Sequence, residues 1–225
     1  MLDREDMSSA VEQTTPAAEK SSRKNARRAD RVREIILDVA LDCFSSQGFS
    51  GASTRSIAKL AGIQHSLVNY HFESKENLWI AMMDKVLGQH ISNVYEMLDK
   101  AKHRPASEQL RLYIEAYAKT AAASPQAFRI LTQQSTQTSY RLDWLLEKYL
   151  KKQFKFITDI IAEAQKEGQV IEGEPAHIFY LLVGGIGIFF AAGKEYSALT
   201  GKDPSSAAEM HKIIDFLCDL IFKKK

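Results

Sequence analysis

A chain of 225 residues with 45% hydrophobic content is long enough to bury a substantial core, as one large domain or two modest ones. Its net charge of only +2 excludes a uniformly basic or acidic coat, and two cysteines are too few for a disulfide framework. The charge is nevertheless segregated: residues 1–19 carry one arginine against five acids, residues 20–75 ten Lys/Arg against five, and residues 76–225 nineteen against eighteen. A basic N-terminal third on a nearly neutral body suits a module that binds phosphates.

Residues 1–22 lack apolar periodicity and are rich in small and polar types, which predicts a disordered arm without a secretory signal. From Lys20 to Arg33 there are seven Lys/Arg and one acid. That run suits either a solvated linker or an arm that follows phosphates or enters a minor groove. The first helix is patterned clearly, with Val32, Ile35, Ile36, Val39, Ala40, Cys43 and Phe44 on one face, Asp30 placed to cap its start and Gly48 to stop it. Ser53 caps a second helix from Thr54 to Ala61, Gly62 breaks it, and a third runs from about Gln64 to Phe72. Ser74 caps a long fourth helix with a seam of Leu87, Ile91, Val94, Leu98 and Ala101, ended by His103 and Pro105.

The remainder also reads helical. A fifth helix covers about 106–122, and Ser124-Pro125 opens a sixth to about Gln133. A seventh runs from about Tyr140 to Glu167, an eighth from Pro175 to between Tyr196 and Leu199, and a ninth from Asp203-Pro204 to about Phe222. No alternating strand pattern of useful length and no internal repeat is found. The expected fold is all-α, about nine helices, divided into a helix-turn-helix domain over 23–75 and a larger helical domain over 76–225. Ile178–Gly193 is sixteen residues without a charge, but as a helix it would span about 24 Å. That falls short of the ~30 Å core of a bilayer, so a buried or interface helix is expected and no membrane partner. Cys43 and Cys218 are expected as core thiols in the cytoplasm.

In a helix-turn-helix, two helices cross closely around a tight turn and leave the second free to enter a major groove. Ala58, Gly62 four residues later and Val68 six further on meet that spacing, with Ile57, Ile63 and Phe72 around them. The second helix is polar on one face: Gln64, His65, Ser66, Asn69 and Tyr70. Asn and Gln pair with adenine edges, while His and Ser are less selective. Tyr70, His71 and Lys75 suit phosphates, as does Thr54 at the start of the preceding helix; Arg55 suits a phosphate or a guanine. Neither His65 nor His71 has a carboxylate or second ligand at useful spacing. No metal, cofactor or catalytic residue is expected, and there is no Gly-rich phosphate loop or activated nucleophile.

Residues 31–79, above all SIAKLAGIQHSLVNYHFESKENLW, resemble the DNA-binding domain of the TetR/AcrR family of bacterial transcriptional regulators. The resemblance implies a homodimer on a palindromic, double-stranded operator, commonly a repressor released by a small-molecule inducer. By motif position Gln64, His65, Ser66 and Asn69 match base contacts, and Thr54, Tyr70, His71 and Lys75 match phosphate contacts. The sequence departs in having Val68-Asn69 where Leu-Tyr is common, so Asn69 either reads a base or holds a phosphate.

In the larger domain, Ile178, Leu181, Gly185, Ile188 and Ala192, then Met210, Ile214, Leu217 and Ile221, recur at alternating three- and four-residue spacing. Two such stripes suit a four-helix dimer interface, and equally a seam within one chain. Tyr113, Tyr117, Phe128, Tyr140, Trp144, His177 and Tyr180 are candidates to line an effector cavity. Arg129 suits an acidic ligand, a salt bridge or exposure. The alternative function is a DNA-bound structural or cell-cycle factor of the same fold with no small-molecule inducer.

Overall fold

The computed structural model describes residues 16–223, with side chains from Lys24 onward. Among the described residues the fold is all-α, and strand pairing is limited to one bridge between Val170 and Phe222. The head consists of α1 (Pro16–Gly51), which leaves helical geometry at the expected stop Gly48 (φ 71°, ψ 172°), α2 (Thr54–Leu60) and α3 (His65–Phe72). Next, α4 (Lys75–Met83) runs through a π turn (Asp84–Gly88) into α5 (Gln89–Lys100). Then come α6 (Ala106–Ala123), α7 (Pro125–Ser135), and α8 (Tyr140–Leu145), which passes through a second π turn (Leu146–Leu150) into α9 (Lys151–Lys166). The chain closes with α10 (Pro175–Ala191), α11 (Gly193–Thr200) and α12 (Ala207–Ile221).

Several boundaries differ from expectation. Helix α1 already includes Pro16, the first described residue, well before Asp30. The Ala, Glu, Lys and Arg of this stretch are strong helix formers without an apolar seam. Of the arm expected over 1–22, residues 16–22 therefore continue α1, and residues 1–15 lie outside the described residues. The expected eighth helix breaks at Ala192 (φ −91°, ψ 22°), and α10 meets α11 at 71°. The Arg129 guanidinium reaches over from α7 and donates to the Ala191 carbonyl at 3.1 Å, which satisfies an acceptor the break exposes. Arg129 thus caps a helix. Helix α12 starts later than Asp203, at the cap Ser206, whose hydroxyl accepts from the Glu209 N–H. Among the described residues no single helix is long and apolar enough to cross a membrane.

Two apolar clusters hold the molecule. One gathers Leu110, Tyr113, Ile114, Ile157, Ile161, Leu182, Ile186, Leu217 and Ile221 from α6, α9, α10 and α12. The other takes Ile36, Ala40 and Phe44 of α1, Ile57 and Ala58 of α2, Val68 and Phe72 of α3, and Leu78, Trp79 and Met82 of α4. That second cluster also includes Ile130 of α7 and Leu145 of α8, so the core of the head is closed by the body. Cys43 and Cys218 are free and buried, one in each cluster, and burial raises both thiols above their ordinary range.

Helix α10 meets α7 at Gly187, where a Cβ would lie 1.9 Å from the Phe128 ring. Overpacking of this kind destabilises by about 1–3 kcal/mol. Gly187→Ala should lose that much in urea unfolding, and adding Phe128→Leu should return most of it; a neutral Gly187→Ala would mean that the ring has room to yield.

Candidate nucleic-acid interface

The turn between α2 and α3 follows from its residues. Ser53 caps α2, its hydroxyl accepting from the Ser56 N–H at 3.0 Å, while the Ser53 N–H donates to Ser56 Oγ at 3.2 Å. Ala58 and Val68 are buried where the helices cross. Gly62 takes φ 66°, and the Ile63 N–H turns back to the Ala58 carbonyl at 3.1 Å. At its far end α3 stops abruptly at Glu73 (φ 63°, ψ −44°), where the Ser74 N–H reaches the Phe72 carbonyl at 2.6 Å in a strained γ-turn. This places Ser74 to cap α4 by accepting from the Asn77 N–H at 3.0 Å.

On α3 only Val68 and Phe72 are buried. Ser66, Asn69 and Tyr70 are exposed, Tyr70 by 78%, with its ring edge-on to His71 at 5.2 Å. Gln64 stands at the N-cap but makes no capping bond, so its amide is available. His65 is half-buried, its Nε2 lying 2.9 Å from Thr54 Oγ1. Arg55 is exposed beside Thr54. Lys75 does not project freely: its ammonium lies 4.5 Å over the Phe49 ring and donates to the Ser50 carbonyl at 3.5 Å. Arg141 of α8 is 3.9 Å from the same ring, a cation beside the head that chain order hides. Leu67 was also missed, because an apolar residue next to Val68 reads as core; it is 38% exposed among the polar residues of α3.

The seven candidate pocket residues do not line one cavity. Tyr113 and Tyr117 come together, stacked at 5.8 Å between α6 and its neighbours. Phe128 is packed on Gly187, and Trp144 lies 5.9 Å from Trp79 in the joint between head and body. Tyr140, His177 and Tyr180 are exposed, which corrects the expectation. The phase of α10 explains the last two: Ile178, Phe179, Leu182 and Ile186 face inward, leaving His177, Tyr180, Leu181 and Ile188 outside.

The same phase corrects the expected dimer stripe. Ile178, Ile214, Leu217 and Ile221 are buried within the chain's own core. Gly185 lies against Leu217, and Ala192 and Met210 are half-buried. Leu181 and Ile188 are exposed, as are Tyr180, Phe216 and Leu220, which the spacing did not single out. The heptad-like spacing marked the inward face of α12, but on α10 it mixed inward Ile178 with outward Leu181 and Ile188.

Residues 36–82, from the middle of α1 into α4, match the model of the bacterial regulatory proteins of the tetR family. Over these residues the chain carries the DNA-binding domain of the TetR family of transcriptional regulators. It is 28% identical over 188 residues to the HTH-type transcriptional regulator RutR of Escherichia coli K12, spanning 83% of this chain and 87% of that protein. To the HTH-type transcriptional regulator AcrR of Shigella flexneri it is 43% identical over 58 residues, 26% of this chain and 27% of that one. Among solved structures, HlyIIR, a hemolysin II transcriptional regulator, superposes with a TM-score of 0.67 at 21% identity over 87% of this chain and 99% of that one. AibR, in complex with isovaleryl coenzyme A and operator DNA, gives 0.69 at 18% over 85% and 98%. These structural likenesses establish the TetR-like fold.

Nothing lies within 4 Å of a Cβ placed at Gly62, so its glycine is required by backbone conformation alone. Gly62→Ala should therefore destabilise the chain by about 1–2 kcal/mol in thermal or urea unfolding, and Gly62→Asn by less, since Asn tolerates positive φ. Equal losses in the two variants would point to a contact rather than to φ.

Proposed function

We propose that this chain is a TetR-family regulator, a homodimeric repressor that grips a palindromic operator with two copies of α3 and releases it when a small molecule enters the body. The observation that carries the reading is the outward face of α10 and α12. Tyr180, Leu181, Ile188, Phe216 and Leu220 present large apolar side chains to water, and apolar side chains gathered on two packed helices favour an interaction surface. A two-fold axis through this face buries it in a four-helix bundle and sets two reading helices about one DNA turn apart. Such a protein works in the cytoplasm, with the DNA.

Within each half-site, Gln64, His65, Ser66 and Asn69 are assigned to base edges and Leu67 to a thymine methyl. Thr54, Tyr70 and His71 are assigned to phosphates, Arg55 to a phosphate or guanine, and Lys75 to a phosphate once it leaves Phe49. AibR, whose structure holds isovaleryl coenzyme A and operator DNA, lends support to a regulator that binds both an effector and DNA.

A polar cluster in the body favours an effector over a purely structural role. The Tyr95 hydroxyl is buried with no hydrogen-bond partner among the described residues, and the Tyr113 hydroxyl accepts only a long 3.4 Å bond from the Gln153 amide. Burial pushes the phenols of Tyr95, Tyr113 and Tyr117 up, so all three are protonated donors at neutral pH. A buried donor without an acceptor costs about 1–3 kcal/mol, a cost that a ligand carrying acceptor groups removes. Such a ligand shifts the population away from the operator-competent form only by its difference in affinity for the two forms.

Combining Ile188→Asp with Phe216→Asp should give monomers in sedimentation equilibrium. Binding to genomic fragments selected by the wild-type chain should weaken at least tenfold, and those fragments should contain inverted repeats. An intact dimer in the double variant, or selected sites without dyad symmetry, overturns the reading.

A further inference from the structure

Thr54 opens α2 and His65 opens α3, and their side chains meet across the turn, Oγ1 and Nε2 being 2.9 Å apart. Both are half-buried, and both belong to the proposed operator surface. A hydroxyl has one proton, and a neutral imidazole has one N–H and one bare nitrogen. The pair therefore has two arrangements. In the first, Thr54 donates to Nε2, and the imidazole proton sits on Nδ1. In the second, Nε2–H donates to Thr54 Oγ1, the Thr54 proton is free for another acceptor, and Nδ1 carries a lone pair.

We infer that Thr54 is a positioning residue that sets the tautomer of His65 on the operator. A phosphate oxygen accepts but never donates, so a phosphate held by Thr54 takes its only O–H proton. Oγ1 is then left with lone pairs alone, and the hydrogen bond across the turn survives only with the proton on Nε2. A neutral His65 consequently presents Nδ1 as an acceptor. In the major groove that complements the amino groups of adenine N6 and cytosine N4, and it opposes guanine O6/N7 and thymine O4, which are acceptors themselves. The phosphate contact, which carries no sequence information of its own, thereby decides what the neighbouring side chain reads. The inference rests on the operator reading above and adds a class of base to it.

The test uses the full-length chain and its variants Thr54→Val, Thr54→Ser and His65→Ala, each measured against a library of the selected operator randomised one position at a time. Wild type should favour adenine or cytosine at one position of the contacted strand in each half-site by roughly three- to tenfold, the worth of one hydrogen bond. His65→Ala should flatten that position. Thr54→Ser, which keeps the hydroxyl, should preserve it. Thr54→Val, of the same shape without the hydroxyl, should lower affinity for all sequences and flatten the same position as His65→Ala. A Thr54→Val variant that binds more weakly with its base preference intact reduces Thr54 to a phosphate contact and overturns the coupling. So does a position lost in His65→Ala whose preferred base is guanine or thymine, or a His65→Ala profile that matches wild type. If the wild-type chain selects no common sequence at all, the operator reading itself fails, and this inference fails with it.

Discussion

The edge-to-face packing of Trp79 on Trp144, at 5.9 Å and 71°, marks the constraint on which the rest of the structure depends. A head of one long and two short helices buries too little apolar surface to hold itself firmly. In this chain the deficit is met from the body: Ile130 and Leu145 enter the same cluster as Ile36, Phe44 and Val68. Polar contacts fix the same joint from outside, with the Gln126 amide donating to Asp42 at 3.2 Å and Gln133 to the Ser45 carbonyl at 3.4 Å. The head and α7–α8 therefore share one core, and the orientation of α3 is tied to helices more than fifty residues away.

The two π turns lie at the edge of this joint. Asp84, in the first, accepts from the Tyr149 hydroxyl at 2.6 Å and from the Lys148 ammonium at 2.8 Å, both in the second. The next residue, Lys85, reaches the other way to Glu34 and Asp38 of α1, at 2.5 and 2.6 Å. Neighbouring residues on one turn thus hold the body on one side and the head on the other. These ion pairs are partly exposed and contribute little stability as pairs; their importance is geometric. π turns recur at functional sites because the extra residue redirects side chains without ending the helix. A shift of α9 against α5 must break the Asp84 contact or drag α1 with it.

The head was largely legible in the sequence, because local chemistry determines it. The Ala58, Gly62 and Val68 spacing, the Ser53 and Ser74 caps and the apolar face of α1 all depend on neighbours within a few residues. What was not legible depends on partners remote in sequence. A stripe at three- and four-residue spacing reveals that α10 and α12 each have an apolar face. It does not reveal whether the same chain or a second copy covers it, and here Ile178 and Leu217 went inward. The break at Ala192 is stabilised by Arg129 from α7, and Lys75 is drawn to Phe49 by packing that no local pattern records. The extension of α1 to Pro16 escaped because it is helical by propensity, with no seam to announce it. The Thr54–His65 contact needs the turn itself to bring residues 54 and 65 together.

A shared core is tested most directly by amide hydrogen exchange on the wild-type chain and on Trp144→Ala. Removing a ring from α8 should lower the protection of Ile36–Phe44 in α1 and of Val68 in α3, although neither helix has been altered. Protection lost only around residues 140–150, with α1 and α3 exchanging as in the wild type, would show that the head holds its fold by itself and would contradict the shared core.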